Sequence, residues 1–279
     1  MGFHEDVSVE PMAALDDLPQ QWRVPGLTIK AVLRFKGLLV PIVTVALWEI
    51  LSAAGLIPQN WLPAPSAIVT TLLDLWRNGD LPRHIVATIA RVGAGFLLGA
   101  LGGTIMGGIT GSSRTVRELL DPTIQALRNI PSMAWVPLFL LWLGIHESSK
   151  IALIAVGVFF PVYLNLLEGI RAVDRRLVEV GEVYRLGPLA LFRRVVLPAA
   201  LPSYLVGLRS GLGLGWMFVV AAELMGASRG LGFLMVDGQM TGRASVIIAS
   251  IVLFALFGKL TDALIESVGR TIPGATRTR

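Results

Sequence analysis

The sequence has no cysteine and only three histidines, His4, His84 and His146, which lie far apart. The first absence excludes disulfides, thiolate metal sites and cysteine nucleophiles. Scattered histidines offer no metal cluster, and no H-E-x-x-H occurs. G-x-S-x-G is missing as well. The one Gly-Lys pair, Gly258-Lys259, lacks the upstream glycine of a P-loop, so the chain has no such cradle for ATP. Charge is also scarce: 15% of the 279 residues are charged, against about 25% in an ordinary soluble domain. An enzyme would have to assemble its site from dispersed residues, and no cluster of ionisable residues at one depth suggests one.

What is present is apolar. Hydrophobic residues make up 54% of the chain, and a membrane protein is the first expectation. Six spans are predicted, over residues 38–57, 85–109, 119–144, 151–170, 201–225 and 246–268, each near the ~20 residues that cross a bilayer. The third contains Pro131 and Pro137, which predict an interruption. The first apolar run begins near Leu38 and is long enough to span, so it is not read as a secretory signal.

The net charge of +5 does not point to nucleic acid, because the basic residues gather in the gaps between apolar runs. With the N-terminus inside, fifteen lysines and arginines fall on the inner side: four in 23–36, Arg114 and Arg117, six in 171–194, Arg270, Arg277 and Arg279. Five fall outside: Arg77, Arg83, Lys150, Arg229 and Arg243. Both termini are therefore expected in the cytoplasm.

Three divisions follow. Residues 1–37 contain the acidic stretch HEDVSVEPMAALDD and are read as a largely disordered cytoplasmic tail. Residues 38–270 form the membrane domain, with a core at about 82–266, and 271–279 form a cytoplasmic tip. In the outer segment 58–84, Ser66 is expected to cap an amphipathic surface helix bearing Leu72, Leu73, Leu75 and Trp76.

Glycines recur every fourth residue at Gly95, Gly99, Gly103, Gly107 and Gly111, and again at Gly207, Gly211 and Gly215. Such a stripe lets a neighbouring backbone approach closely. Either static packing or sliding of helices fits it. Ionisable residues inside spans are functional candidates by default: Glu49, Arg128 beside Asn129, Arg209 and Glu223. Arg128 and Arg209 could face a pathway and hold an anion; each could instead snorkel to a headgroup or pair with a carboxylate.

Residues 175–202, RRLVEVGEVYRLGPLALFRRVVLPAALP, interrupt the apolar pattern. Leu177, Val180, Val183 and Tyr184 share one helical face, and arginines and glutamates occupy the rest. Gly187 is expected to stop this helix and Pro188 to start a second, which Pro198 ends. An apolar stripe on the water side asks for a partner surface.

This stretch resembles the Glu-Ala-Ala segment of ABC-type importer permeases, in which that triplet is followed three residues later by Gly and nine residues after that by Ile-x-Leu-Pro. Here Glu179-Val180-Gly181 takes the place of the triplet, Val195 of the isoleucine, and Leu197-Pro198 closes the motif. Arg185 falls where the family has glycine, with Gly187 two residues later. LPAPSAI at 62–68, DPTIQALRNIPSMAWVPLFLLWLG at 121–144 and GLGLGWMFVVAAELMGASRGLGFL at 211–234 look like the permease family for aliphatic sulfonates, taurine and nitrate, the sulfonate branch most of all. The likeness covers roughly residues 38–270.

The resemblance implies an all-α membrane protein with the six-helix type I ABC importer permease fold, in the bacterial inner membrane. It implies two copies lining a path, two separate ATP-binding subunits that carry ATP and magnesium, and a periplasmic solute-binding protein. This chain would bind no cofactor itself. Residues 175–198 would transmit force from the ATPase. The substrate would be a small oxyanion, an aliphatic sulfonate in the first place and otherwise taurine, nitrate or another small solute. An ion-coupled carrier acting alone would instead need intramembrane carboxylates and an internal repeat. Glu49 and Glu223 supply the former, and no repeat is visible.

Overall fold

A computed structural model describes residues 26–271, and all regular structure among them is helical. The acidic stretch of the expected tail and the C-terminal tip from 272 lie outside the described residues. The chain divides into two units, residues 1–57 and 58–279. In the first, helix α1 (Gly26–Ala53) begins twelve residues ahead of the predicted span, so the end of the expected tail is helical.

The second unit is built on three long helices, α3 (Asp80–Ser112), α6 (Glu147–Arg171) and α9 (Leu197–Leu224). The glycine stripes set their register. A side chain at Gly95 would meet Ile154, at Gly103 the Phe159 carbonyl and Val162, and at Gly111 Ile170. The partner numbers rise together, so α3 and α6 run parallel. A second stripe meets the same stretch of α6 from α9: Gly207 faces Asn165, Gly211 faces Val158 and Val162, and Gly215 faces Val158 and Ile154. Those numbers fall, so α9 is antiparallel. α6 is thus held between two glycine faces, with Ile154, Val158 and Val162 fully buried. The stripes are packing surfaces within one chain, as close approach of small residues predicts.

Parallel α3 and α6 require residues 113–146 to return across the bundle. They do so in two pieces, α4 (Arg114–Arg128) and α5 (Trp135–Leu143), separated by a break with one short 3-10 turn, Ser132–Ala134. The single span predicted for 119–144 is therefore corrected. Pro131 stands in the break, whereas Pro137 sits in the first turn of α5, where its missing N–H breaks no intrahelical bond. Ser113 caps α4 by accepting from the Val116 amide.

α11 (Ala244–Thr271) packs antiparallel on α9, with Trp216 Nε1 donating to Thr261 Oγ1 at 2.9 Å. Among the described residues, four helical runs are long and apolar enough to cross a membrane: Asp80–Ser112, Glu147–Arg171, Pro188–Leu224 and Ala244–Thr271. Their outward faces expose Leu97, Leu101, Ile105, Leu256 and Leu264, which suits lipid.

The amphipathic helix α2 (Pro65–Arg77) forms, but Ala64 is its cap residue and Ser66 lies inside it, because Pro65 takes the first helical position. Its Leu72 and Leu75 pack on buried Leu81 and Leu231, while Leu73 and Trp76 remain exposed. Leu231 belongs to α10 (Leu231–Met240), a helix the sequence pattern did not announce.

Candidate functional site

The expected coupling segment folds as an elbow. α7 (Arg175–Val183) starts at Asp174, whose carboxylate accepts from the Arg176 amide at 2.9 Å. It ends at Tyr184, and Arg185 takes φ +53°. The left-handed position expected at Gly187 is therefore occupied by Arg185, where the family motif has its glycine. Gly187, at φ −63° and ψ 160°, is the extended residue before α8 (Pro188–Leu191). Pro198 does not end this second helix. A π-turn over Phe192–Val196, in which the Leu197 amide reaches the Phe192 carbonyl, carries the chain straight into α9. Pro198 falls in the first turn of α9, where its missing N–H breaks no helical bond.

Gly181 is buried where α7 folds back on Leu186, Leu191 and Val195. Glu179 pairs with Arg175 at 3.0 Å on the surface. Val180, Val183, Tyr184 and Leu189 are all exposed. The apolar face expected of this segment is therefore uncovered within the chain. A groove of about 620 Å³ lies alongside it, lined by Gly187, Pro188, Leu189, Arg193 and Arg194.

Three of the four intramembrane candidates, Glu223, Arg209 and Arg128, separate by their neighbours. Glu223, at the end of α9, is buried. It accepts from Thr88 Oγ1 at 2.8 Å, from the Gly232 amide at 2.8 Å and from Arg91 Nη1 at 2.6 Å. A side chain at Gly230 (φ +131°) would run into its carboxylate. Arg91 in turn binds Glu147 at 2.5 and 2.8 Å, and Glu147 also accepts from Lys150 at 3.3 Å. This network ties α3, α6 and α9 together at one end of the bundle. Arg91 and Glu147 were not singled out from sequence. An arginine inside a glycine-rich span was the available signal, but its carboxylate partners lie 56 and 132 residues away.

Arg209 is also committed. It binds Asp262 through Nε at 2.8 Å and Nη2 at 3.0 Å, and Glu266 at 3.2 Å, all on α11. Neither Arg209 nor Glu223 lines the cavity described next.

Arg128 and Asn129 do. They stand where α4 breaks, at the rim of a cavity of about 470 Å³. Its walls are Trp135 of α5, Gly157, Phe160 and Pro161 near the middle of α6, and Leu214, Met217 and Phe218 of α9. Pro161 has no N–H, so the Gly157 carbonyl lacks its usual helical donor. Arg91, Lys150, Arg209 and Lys259 each have a carboxylate at 2.6, 3.3, 2.8 and 3.7 Å respectively. Arg128 has none among the described residues: its Nη1 reaches only Gln125 Oε1, at 3.4 Å. A guanidinium with spare donors at a cavity within the apolar bundle suits a planar or trigonal oxyanion. No group of His, Asp or Glu that could hold a metal ion occurs among the described residues.

Residues 99–272 match the family model described as the binding-protein-dependent transport system inner membrane component. The aliphatic sulfonates transport permease protein SsuC of Bacillus subtilis (strain 168) is 43% identical over 237 residues, which is 85% of this chain and 86% of that one. The protein of the same name from Escherichia coli (strain K12) is 41% identical over 241 residues, 86% of this chain and 92% of that one. Among solved structures, an inward-facing form of the MetNI methionine ABC transporter superposes with a TM-score of 0.60 at 19% identity, covering 69% of this chain and 95% of that one. At that identity the likeness concerns the fold alone.

Proposed function

Because the chain belongs to the family of binding-protein-dependent transport system inner membrane components, we propose that it is the path-forming subunit of an ATP-driven importer for aliphatic sulfonates, and that Arg128 marks the path. The observation that carries this reading is the unpaired guanidinium. Arg128 closes the amphipathic helix α4 and is exposed, so its spare donors are open to an anion. Here it borders a cavity instead of a carboxylate.

The rest of the assembly follows from the family and from the elbow. Two copies of the chain stand side by side in the bacterial inner membrane. Each crosses it six times, counting α1 and the broken α4–α5 passage, with both termini in the cytoplasm. Two separate ATPase subunits hold ATP and magnesium and grip the elbow through Val180, Val183, Tyr184 and Leu189. A periplasmic binding protein delivers substrate to the opposite face. Nucleotide-driven closure of the ATPase pair pushes the elbow, and the π-turn passes that movement directly into α9 as a rigid-body switch. An ion-coupled carrier is less well supported, since Glu223 is already saturated by Arg91, Thr88 and the Gly232 amide.

Sulfonate uptake by cells carrying Arg128→Gln tests the reading, with membrane level and ATPase co-purification as controls for assembly. Uptake is expected to fall at least tenfold, the loss of a hydrogen bond to a charged group. Arg209→Gln should weaken stability and leave the substrate KM unchanged. Full uptake in the Arg128 variant at normal assembly would refute the assignment.

A further inference from the structure

The cavity at Arg128 is mostly apolar. Its polar side chains are Arg128 and Asn129, where α4 ends, and Asn165 of α6, whose amide nitrogen donates to the Pro161 carbonyl at 2.9 Å, while Trp135, Phe160, Met217 and Phe218 make up an apolar wall. The volume, about 470 Å³, lies within the ~300–1,000 Å³ of small-molecule sites. A bare inorganic oxyanion placed there would satisfy the guanidinium but would turn its remaining oxygens toward aromatic carbon, which desolvates them without replacement. A ligand with a charged head and a hydrocarbon tail matches both sides at once.

From this we infer that the permease carries its own selectivity site, which takes an alkanesulfonate with the sulfonate on Arg128 and Asn129 and the alkyl chain along Trp135, Phe160, Met217 and Phe218. The inference rests on the anion-path reading and goes beyond it: discrimination between organic and inorganic anions resides partly in this chain. The wall is preformed. Phe218 packs over Gly157, where any side chain would collide with its ring, so the aromatic face lies directly on the α6 backbone. Trp135 stacks on Phe139 with ring centroids 5.9 Å apart, which fixes its plane. Met217 lines the cavity and is about half exposed, with an adaptable thioether that tolerates tails of different length.

The test is direct binding to the full chain in lipid nanodiscs, without a binding protein whose own selectivity would mask the result. Methane-, propane- and pentanesulfonate and inorganic sulfate are titrated against tryptophan fluorescence, with empty nanodiscs subtracted. Affinity is expected to rise about two- to fourfold per added methylene, since each buried CH₂ transfers favourably from water. Arg128→Gln should lower affinity for every member by about the same factor, tenfold or more. Met217→Gln, and independently Leu214→Gln on the same wall, should flatten the dependence on chain length and leave methanesulfonate nearly unaffected. If wild-type protein binds sulfate and pentanesulfonate equally, or if both wall variants keep the full slope, the selectivity site is refuted while the anion path stands. If no anion binds, or if Arg128→Gln changes nothing, both fall.

Discussion

Arg91, inside the apolar helix α3, and Arg128, at the end of amphipathic α4, have opposite surroundings. Arg91 is enclosed by Glu223 and Glu147, and among the described residues Glu223 has no other cation to balance it. Removing one partner of a buried pair leaves the other charge uncompensated, which costs roughly 3–5 kcal/mol. Arg91→Leu should therefore destabilise the protein by about that amount. The double variant Arg91→Leu with Glu223→Leu should recover much of the loss, since paired apolar replacement is often neutral. Unfolding in detergent followed by circular dichroism measures both; a double variant as unstable as the sum of the singles would show that the two side chains do not act as a pair. Arg128 has no such partner, so Arg128→Gln is expected to spare stability and reduce uptake. Arginines 91, 128 and 209 look alike in a hydropathy trace. Only the fold says which is neutralised, because the deciding carboxylates arrive from distant helices.

Among the elements, the glycine stripes were the most informative local signal. A four-residue repeat announces a face on a helix, and the structure adds which helix meets it and in which direction. A methyl group at Gly103 would sit 2.8 Å from the Phe159 carbonyl oxygen and 2.9 Å from the Val162 Cβ, whereas Gly108, five residues on, meets nothing. Gly103→Ala should destabilise by about 1–3 kcal/mol through overpacking. Gly108→Ala should be neutral or stabilising by up to about 1 kcal/mol, because alanine favours the helix. Melting temperatures of the two variants in one detergent check the contrast, and equal effects would contradict the packing register. The elbow was legible for a related reason: charge, an apolar face and Gly-Pro coincide within residues 175–198. Its hinge was misplaced by two residues. Sequence logic assigns left-handed backbone to glycine, yet Arg185 adopts it because Tyr184 already ends α7 and the Leu186 amide bonds back to the Gly181 carbonyl at 3.1 Å. Helix α10 went unnoticed because its ten residues carry neither a cap signal nor a clean period; contacts with Leu81 and Val246 hold it in place. The broken third passage was readable at Pro131, but not that the break opens a cavity, since its far walls come from α6 and α9.

In the second unit, tightly packed rods surround a cavity at a discontinuity and leave a lever uncovered. α9 belongs to both: its far half walls the cavity through Leu214, Met217 and Phe218, and its start is continuous with the elbow through the π-turn. Movement of the elbow therefore reaches the cavity through a single helical run, Pro188–Leu224. The sequence carries no P-loop, and in the proposed function a separate ATPase supplies the driving force by acting on that lever. ATP-dependent accumulation of a radiolabelled alkanesulfonate in proteoliposomes holding the permease, its ATPase and its binding protein tests this most directly, comparing the native chain with one whose residues 176–192 are replaced by a Gly-Ser linker of equal length. Accumulation that requires ATP and the ATPase and is abolished by the linker, with the membrane helices still folded, is the predicted result. Accumulation by the permease alone, or undiminished pumping through the linker, would contradict it.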